Sequence, residues 1–290
     1  MNNEKLSYEE FKQKVKEEIK SHLPAKYKDY RLKEDIVRKV NKELETLILL
    51  RDDPEAKNIT YCTATFYYED YYQKYLLGAA FEAIMGEMAA IVNYTDSKGE
   101  ELVKKHVNFG KCIVFQLINH EKNKKLLEKL PHRDILDLAL TYREVKIEDG
   151  QFYSAFIDYD LLKTINMTED ELYDFAYETT WNFMEPEIIN VIETMYALTN
   201  KKFIWGAASI VYGELLEEFA NRLECDLYLL PASLNEMVIL PTCLPKDIVN
   251  DRTVKEMVRS VNKESITEEE WLSDNAYIYR RAEHCIEILQ

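Results

Sequence analysis

The sequence predicts an α+β protein, with a largely antiparallel sheet flanked by amphipathic helices and arranged as two intimate lobes. Three observations predict it. Apolar residues recur at a period near 3.6 in some stretches and in short alternating or continuous runs in others, so helices and strands are both present. The strands come in hairpins as well as in strand-helix-strand order, which favours antiparallel pairing over a doubly wound sheet. The 290 residues hold only 7 Gly and 7 Pro while 47% are apolar, so a sizeable core can form and long flexible linkers are excluded. A division at Pro131 gives lobes of 1–130 and 131–290, with no linker and no internal repeat between them.

Each element has its own signal. Ser7 and Glu10 make a capping box, and Phe11, Val15, Ile19 and Leu23 then share a helix face that ends near Pro24. Residues 30–39 and 44–51 form a hairpin, 61–67 a third strand, and 69–93 two tandem helices interrupted at Gly78. The apolar run 112–118 is a buried strand, and the polar stretch 119–130 a helix stopped by Pro131. Strands at 135–143 and 152–158 meet at Glu148-Asp149-Gly150, which is hairpin chemistry. Thr168 with Glu171 repeats the capping box ahead of a helix whose Leu172, Phe175, Ala176, Thr179 and Phe183 share a face. Residues 195–199 are a short strand. Gly206 opens a helix with Tyr212, Leu215, Leu216, Phe219 and Leu223 on one side, against Glu214, Glu217, Glu218 and Arg222 on the other. Strands at 226–230 and 237–240, a helix at 253–263, a capped turn at Thr267 and Glu270, and a strand at 276–280 complete the chain.

Charge and motifs exclude more than they suggest. Lys plus Arg number 37 and Asp plus Glu 53, a net charge of −16, the wrong sign for tracking a phosphate backbone or an anionic membrane. Direct nucleic-acid binding and membrane association are therefore not expected. The 7 glycines include no Gly-x-Gly, no Gly-Lys-Ser/Thr and no Gly-x-Ser-x-Gly, so nucleotide fingerprints and a nucleophile elbow are absent and no cofactor is expected. His22, His106, His120, His132 and His284 never stand at the i, i+4 spacing that puts two imidazoles on one helix face, so no metal is expected either. The odd set Cys62, Cys112, Cys225, Cys243 and Cys285, without a Cys-x-x-Cys, reads as buried free thiols. With no basic-apolar leader at the N-terminus, the expected location is the cytoplasm.

Two kinds of candidate site remain. Pro131-His132-Arg133-Asp134 gathers a His, a cation and a carboxylate at a turn, and Ser233, Asn235 and Glu236 stand in a loop between two apolar strands. An enzyme would use the second loop with His132 or Asp134: Ser233 or Glu236 as nucleophile or base, Asn235 as oxyanion donor. Ordinary turn bonding is the favoured account of both loops. The other kind is a surface. Tyrosine numbers 20, and Tyr67, Tyr68, Tyr71 and Tyr72 crowd one stretch with the chemistry of an interface, while Glu214, Glu217 and Glu218 line the exposed side of the helix after Gly206.

The segments Leu-Pro-His-Arg-Asp-Ile-Leu-Asp-Leu-Ala-Leu (130–140), Met-Tyr-Ala-Leu-Thr-Asn (195–200) with Trp-Gly-Ala-Ala (205–208), Leu-Leu-Pro-Ala-Ser-Leu-Asn-Glu-Met-Val-Ile-Leu-Pro (229–241) and Trp-Leu-Ser-Asp-Asn-Ala-Tyr (271–277) resemble an uncharacterised domain-of-unknown-function family of about 300-residue proteins from gut Firmicutes. In that family a Ser-Ser-x-His-Glu stands where this chain has Ala232-Ser233-Leu234-Asn235-Glu236, so Asn235 removes whatever base the His would supply. The resemblance implies a bacterial origin and one integrated architecture, and no chemistry. The expectation is a non-enzymatic interaction or accessory protein that binds another protein, in its sharper form an acidic inhibitor of a nucleic-acid enzyme. The alternative is a hydrolase-like enzyme built on residues 233–236.

Overall fold

In a computed structural model, which describes residues 5–52, 60–105, 112–148 and 150–290, the chain separates into two units, residues 1–39 with 43–108 and residues 40–42 with 109–290. The boundary read at 130/131 thus moves to 108/109. The reason is pairing: the strand at 113–119 hydrogen-bonds to the strand at 138–148, so this strand folds with the C-terminal half.

In the first unit, helix α1 (Tyr8–His22) begins at the expected capping box and buries Phe11, Val15 and Ile19. Strands β1 (Arg31–Lys39), β2 (Lys42–Asp52) and β3 (Thr60–Tyr67) follow in that order across one sheet. A bulge interrupts the antiparallel register of β2 and β3, where Leu49 faces Ala64 but Leu50 faces Cys62. One extra residue flips the side chains beyond it, so Ala64 stays in the core while Cys62 turns outward. Helices α2 (Tyr68–Leu76) and α3 (Phe81–Lys105) are the expected tandem pair, separated at Gly78, whose φ of 105° suits the residue without a Cβ.

The second unit holds two sheets. One is formed by β4 (Ile113–Asn119), β5 (His132–Ile135), β6 (Leu138–Glu148) and β7 (Gln151–Phe156), with β6 pairing all three others antiparallel. The polar stretch expected to be a helix up to Pro131 is helical only over the single turn α4 (Lys124–Leu127). Gly150, at φ 75°, turns β6 into β7; Asp149 of that turn, like His106, lies outside the described residues. After α5 (Tyr159–Thr164), helix α6 (Glu169–Met184) starts at the Thr168–Glu171 capping box and covers β4, where the Thr180 hydroxyl accepts the Phe115 N–H at 2.9 Å. That bond satisfies an edge strand that has no second neighbour among the described residues.

The other sheet contains β8 (Pro186–Ile192), β9 (Met195–Asn200), β10 (Leu227–Ser233), β11 (Glu236–Pro241), β12 (Tyr277–Arg280) and β13 (Cys285–Ile288), in the order β13-β12-β10-β11-β9-β8. Helix α7 (Gly213–Leu223) and helix α8 (Asp251–Glu264) serve different faces of it. Leu227 and Leu229 pack into the core that includes Leu216 and Phe219 of α7, and Tyr228 and Leu230 into a separate cluster with Val254 and Val258 of α8. A strand buried on both faces must be apolar at every position, which is why 227–230 reads as a continuous run.

Candidate functional site

The 233–236 turn is consumed by the fold. Ser233 and Glu236 face each other across the β10–β11 hairpin, and the Ser233 hydroxyl oxygen accepts the Asn235 N–H at 3.0 Å. Asn235 Oδ1 accepts the Trp205 N–H at 3.0 Å, and the Asn235 carbonyl accepts the Thr199 hydroxyl at 2.8 Å. Ser209 donates to the Thr199 carbonyl, and Asn200 Nδ2 to that of Ile204. Thr199, Asn200 and Ser209 are buried, so the segments 195–200, 205–209 and 233–235 meet in one satisfied polar knot. Among the described residues, no hydrogen bond or ion pair joins this turn to His132 or Asp134, which sit in the other sheet. The constellation an enzyme would need there is not assembled.

Residues 132–134, read from the sequence as a turn, are instead part of strand β5, paired with β6, and acquire a different neighbour. On β5 the alternation of side chains puts His132 and Asp134 on one face. His120 follows the end of β4 and is held by its N–H to the Asp137 carbonyl, in the turn where β5 passes into β6. His120 Nε2 lies 3.4 Å and His132 Nε2 3.9 Å from Asp134 Oδ1, and the imidazole centroids are 6.0 Å apart. All three ligand atoms fall within 4.8 Å of one another. The helical-spacing argument against metal does not see this group, because strand register and a turn bring the two imidazoles together.

Sequence reasoning also passed over Asp137 and Arg143. The Asp137 carboxylate accepts hydrogen bonds from the Ser273 hydroxyl at 2.6 Å, Asn275 Nδ2 at 3.0 Å and the Tyr277 hydroxyl at 2.7 Å, tying 273–277 to the β5–β6 turn. The Arg143 guanidinium donates to Gln116 Oε1 and Ser154 Oγ and stacks 3.8 Å from the Phe156 ring centre. Burial pulls its pKa down to about 10, with no carboxylate partner among the described residues to oppose it.

Of the expected interaction residues, Tyr68 and Tyr71 are in the core of the first unit, so they are not contact surface. Tyr72 packs on Tyr8, Phe11 and Tyr75, and Tyr67 is partly exposed under the Lys39 ammonium. Positions 68, 71, 72 and 75 share one helix face, and that face is turned inward. The free thiols are not buried either: Cys62, Cys243 and Cys285 are exposed and Cys112 and Cys225 half-buried. Glu214 and Glu218 are exposed as expected, and Glu217 lies 3.5 Å from His284. Helix α6 extends this acidity, because its 16 residues include Glu169, Asp170, Glu171, Asp174 and Glu178 and no Lys or Arg. The two helices meet at the start of α7: Tyr177 packs 4.6 Å from Tyr212, the residue before Gly213, and donates its hydroxyl to Glu214, and Trp181, 43% exposed, lies 5.1 Å from Tyr212. Among the described residues no helix is long and apolar enough to cross a membrane.

The model of a family of unknown function, DUF5688, matches residues 8–194 and 189–281, and the chain belongs to that family. No curated protein and no solved structure matches it.

Proposed function

We propose that this member of a family of unknown function is a non-enzymatic binding protein whose working surface is the acidic, aromatic-studded face of α6 and α7. The observation that carries the reading is the set of exposed carboxylates Asp174, Glu178, Glu214 and Glu218 with exposed Trp181, on α6 and α7, which are joined where Tyr177 meets Glu214 and Tyr212, while Asp170 of the same face is paired with Arg133. Such a face suits a partner protein that presents a basic groove, because opposite potentials steer encounter and an aromatic anchor supplies desolvated contact area. In its sharper form the partner is a nucleic-acid enzyme whose phosphate-binding groove the carboxylates occupy. The protein then works in the cytoplasm, where free thiols persist.

The test is capture of partners from native extract with the wild-type chain and with Glu214→Lys/Glu217→Lys/Glu218→Lys, at low and high salt. Circular dichroism of the variant should match wild type, since these positions lie off the buried stripe of α7. The reversed variant should lose partner affinity and much of its salt dependence. A partner whose retention ignores both salt and the reversal would refute the acidic-face reading.

A further inference from the structure

We propose that His120, His132 and Asp134 form a binding site for a borderline divalent transition cation, of which Zn²⁺ is the representative, with one coordination position left to solvent. Two independent observations carry it. The first is spacing. Zn²⁺ bound at about 2.0–2.2 Å to nitrogen and oxygen in a tetrahedron holds its ligand atoms roughly 3.4 Å apart. The separations of 3.4 and 3.9 Å from Asp134 Oδ1 to the two Nε2 atoms are near that figure, and the two imidazoles, whose ligand atoms lie within 4.8 Å of each other, would close on the ion by side-chain rotation.

The second is tautomer. His132 Nδ1 lies 2.8 Å from the Leu130 carbonyl oxygen, which can only accept, so the proton sits on Nδ1. In the neutral ring Nε2 then carries a lone pair, and it lies 3.9 Å from a carboxylate oxygen that also carries lone pairs. Acceptors this close are bridged by a cation, a proton or a water. An Nδ1–H bonded to a backbone carbonyl is also the arrangement that orients a ligating imidazole and raises its basicity.

The scaffold suits the task. Two ligands project from one face of β5, and the third is fixed by the His120 N–H to the Asp137 carbonyl, whose side chain is held in turn by Ser273, Asn275 and Tyr277. Side-chain exposures of 36% for His120, 23% for His132 and 70% for Asp134 leave the cluster open on the carboxylate side. Two imidazoles and one carboxylate are the donor set of sites that keep an open position for water or a further ligand, and they select transition cations over Mg²⁺ or Ca²⁺.

The experiment is calorimetric titration of the chelator-stripped full chain with Zn²⁺. It is done in a Cys225→Ser/Cys243→Ser background, because those thiols, 3.0 Å apart, are a competing binder. One Zn²⁺ should bind per chain, and His120→Ala, His132→Ala and Asp134→Asn should each weaken it by at least about 10-fold, the lower bound even for loss of an outer partner of a ligand. Co²⁺ should give the visible absorption of a low-coordinate site in the parent and lose it in His132→Ala. The three residues are partly exposed, so the variants should keep the parental circular dichroism; if one does not, the other two decide. Glu214→Lys/Glu217→Lys/Glu218→Lys should leave Zn²⁺ binding intact, which separates this site from the acidic face. Absence of binding, meaning a cluster bridged by protons or water alone, or an affinity unchanged when both histidines are removed, would overturn the proposal.

Discussion

Thr199 and Gly206 leave each other no space for a methyl group. A Cβ built on Gly206 would stand 2.4 Å from the Asn235 carbonyl oxygen and the Thr199 hydroxyl and 2.9 Å from the Thr199 Cα, and two of those three atoms are backbone. Gly206→Ala should therefore lower stability by about 1–3 kcal/mol or more, the cost of overpacking a site that cannot yield. Gly213→Ala, with nothing within 4 Å at the start of α7, should be neutral or stabilising by up to ~1 kcal/mol. Paired urea melts check this, and equal shifts would show that the close approach is not a constraint. The same knot shows what the sequence hides at this scale. Ser233, Asn235 and Glu236 are legible as a polar turn between apolar strands, but the partner of the Asn235 side chain is the Trp205 N–H, 30 residues earlier, and no local pattern announces it. His120 is hidden for a similar reason, since it meets His132 only through a turn set by strand register.

Where a signal is local, the element follows from it. Both capping boxes form as read, and the stripe of α7 buries Leu216, Phe219 and Ala220, with Phe219 packed 4.7 Å from Tyr196, although the helix expected from Gly206 is a 3₁₀ segment to Val211 and α7 starts at Gly213. Phe219→Ala should cost about 3–5 kcal/mol, the range for truncating a buried aromatic. Glu218→Ala, on the exposed side, should stay within ~0.5 kcal/mol. Chemical denaturation of the two variants decides it, and similar losses would mean that the helix faces are assigned wrongly. The elements that escaped the sequence reading include the outermost strands β8 and β13, whose ends or whole length stand exposed and whose apolar alternation is correspondingly weak, and the short β5 and α5, too brief to show a period. The bulge in β3 escaped as well, because an extra residue leaves the composition of the strand unchanged while reversing the direction of Cys62.

At the scale of the whole molecule, the abundance of tyrosine is a matter of core construction more than of surface, and it has a consequence at alkaline pH. Burial raises the pKa of Tyr68, Tyr71, Tyr142, Tyr212, Tyr228 and Tyr277, with Tyr71 pushed up to about 12 and the others held above the ordinary range. Cys112 is moved the same way, from 9.0 to about 11. The unfolded chain sheds these protons near 9 for the thiol and near 10 for the phenols, while the folded chain still holds them. Above those values the folded state binds more protons than the unfolded one, so stability falls as pH rises, fully present below about 9 and eroding toward 12. Arg143 acts with the opposite sign, since its lowered pKa means that the folded state releases a proton first and gains stability from pH 10 upward. One such group faces six phenols and a thiol, so destabilisation wins. A titration followed by phenolate absorbance at 295 nm and by far-ultraviolet circular dichroism should show a phenolate step that coincides with loss of structure between roughly pH 10 and 12. If all the phenols ionise in one smooth curve near pH 10 and the dichroism does not change, these tyrosines do not hold the core as the structure has them.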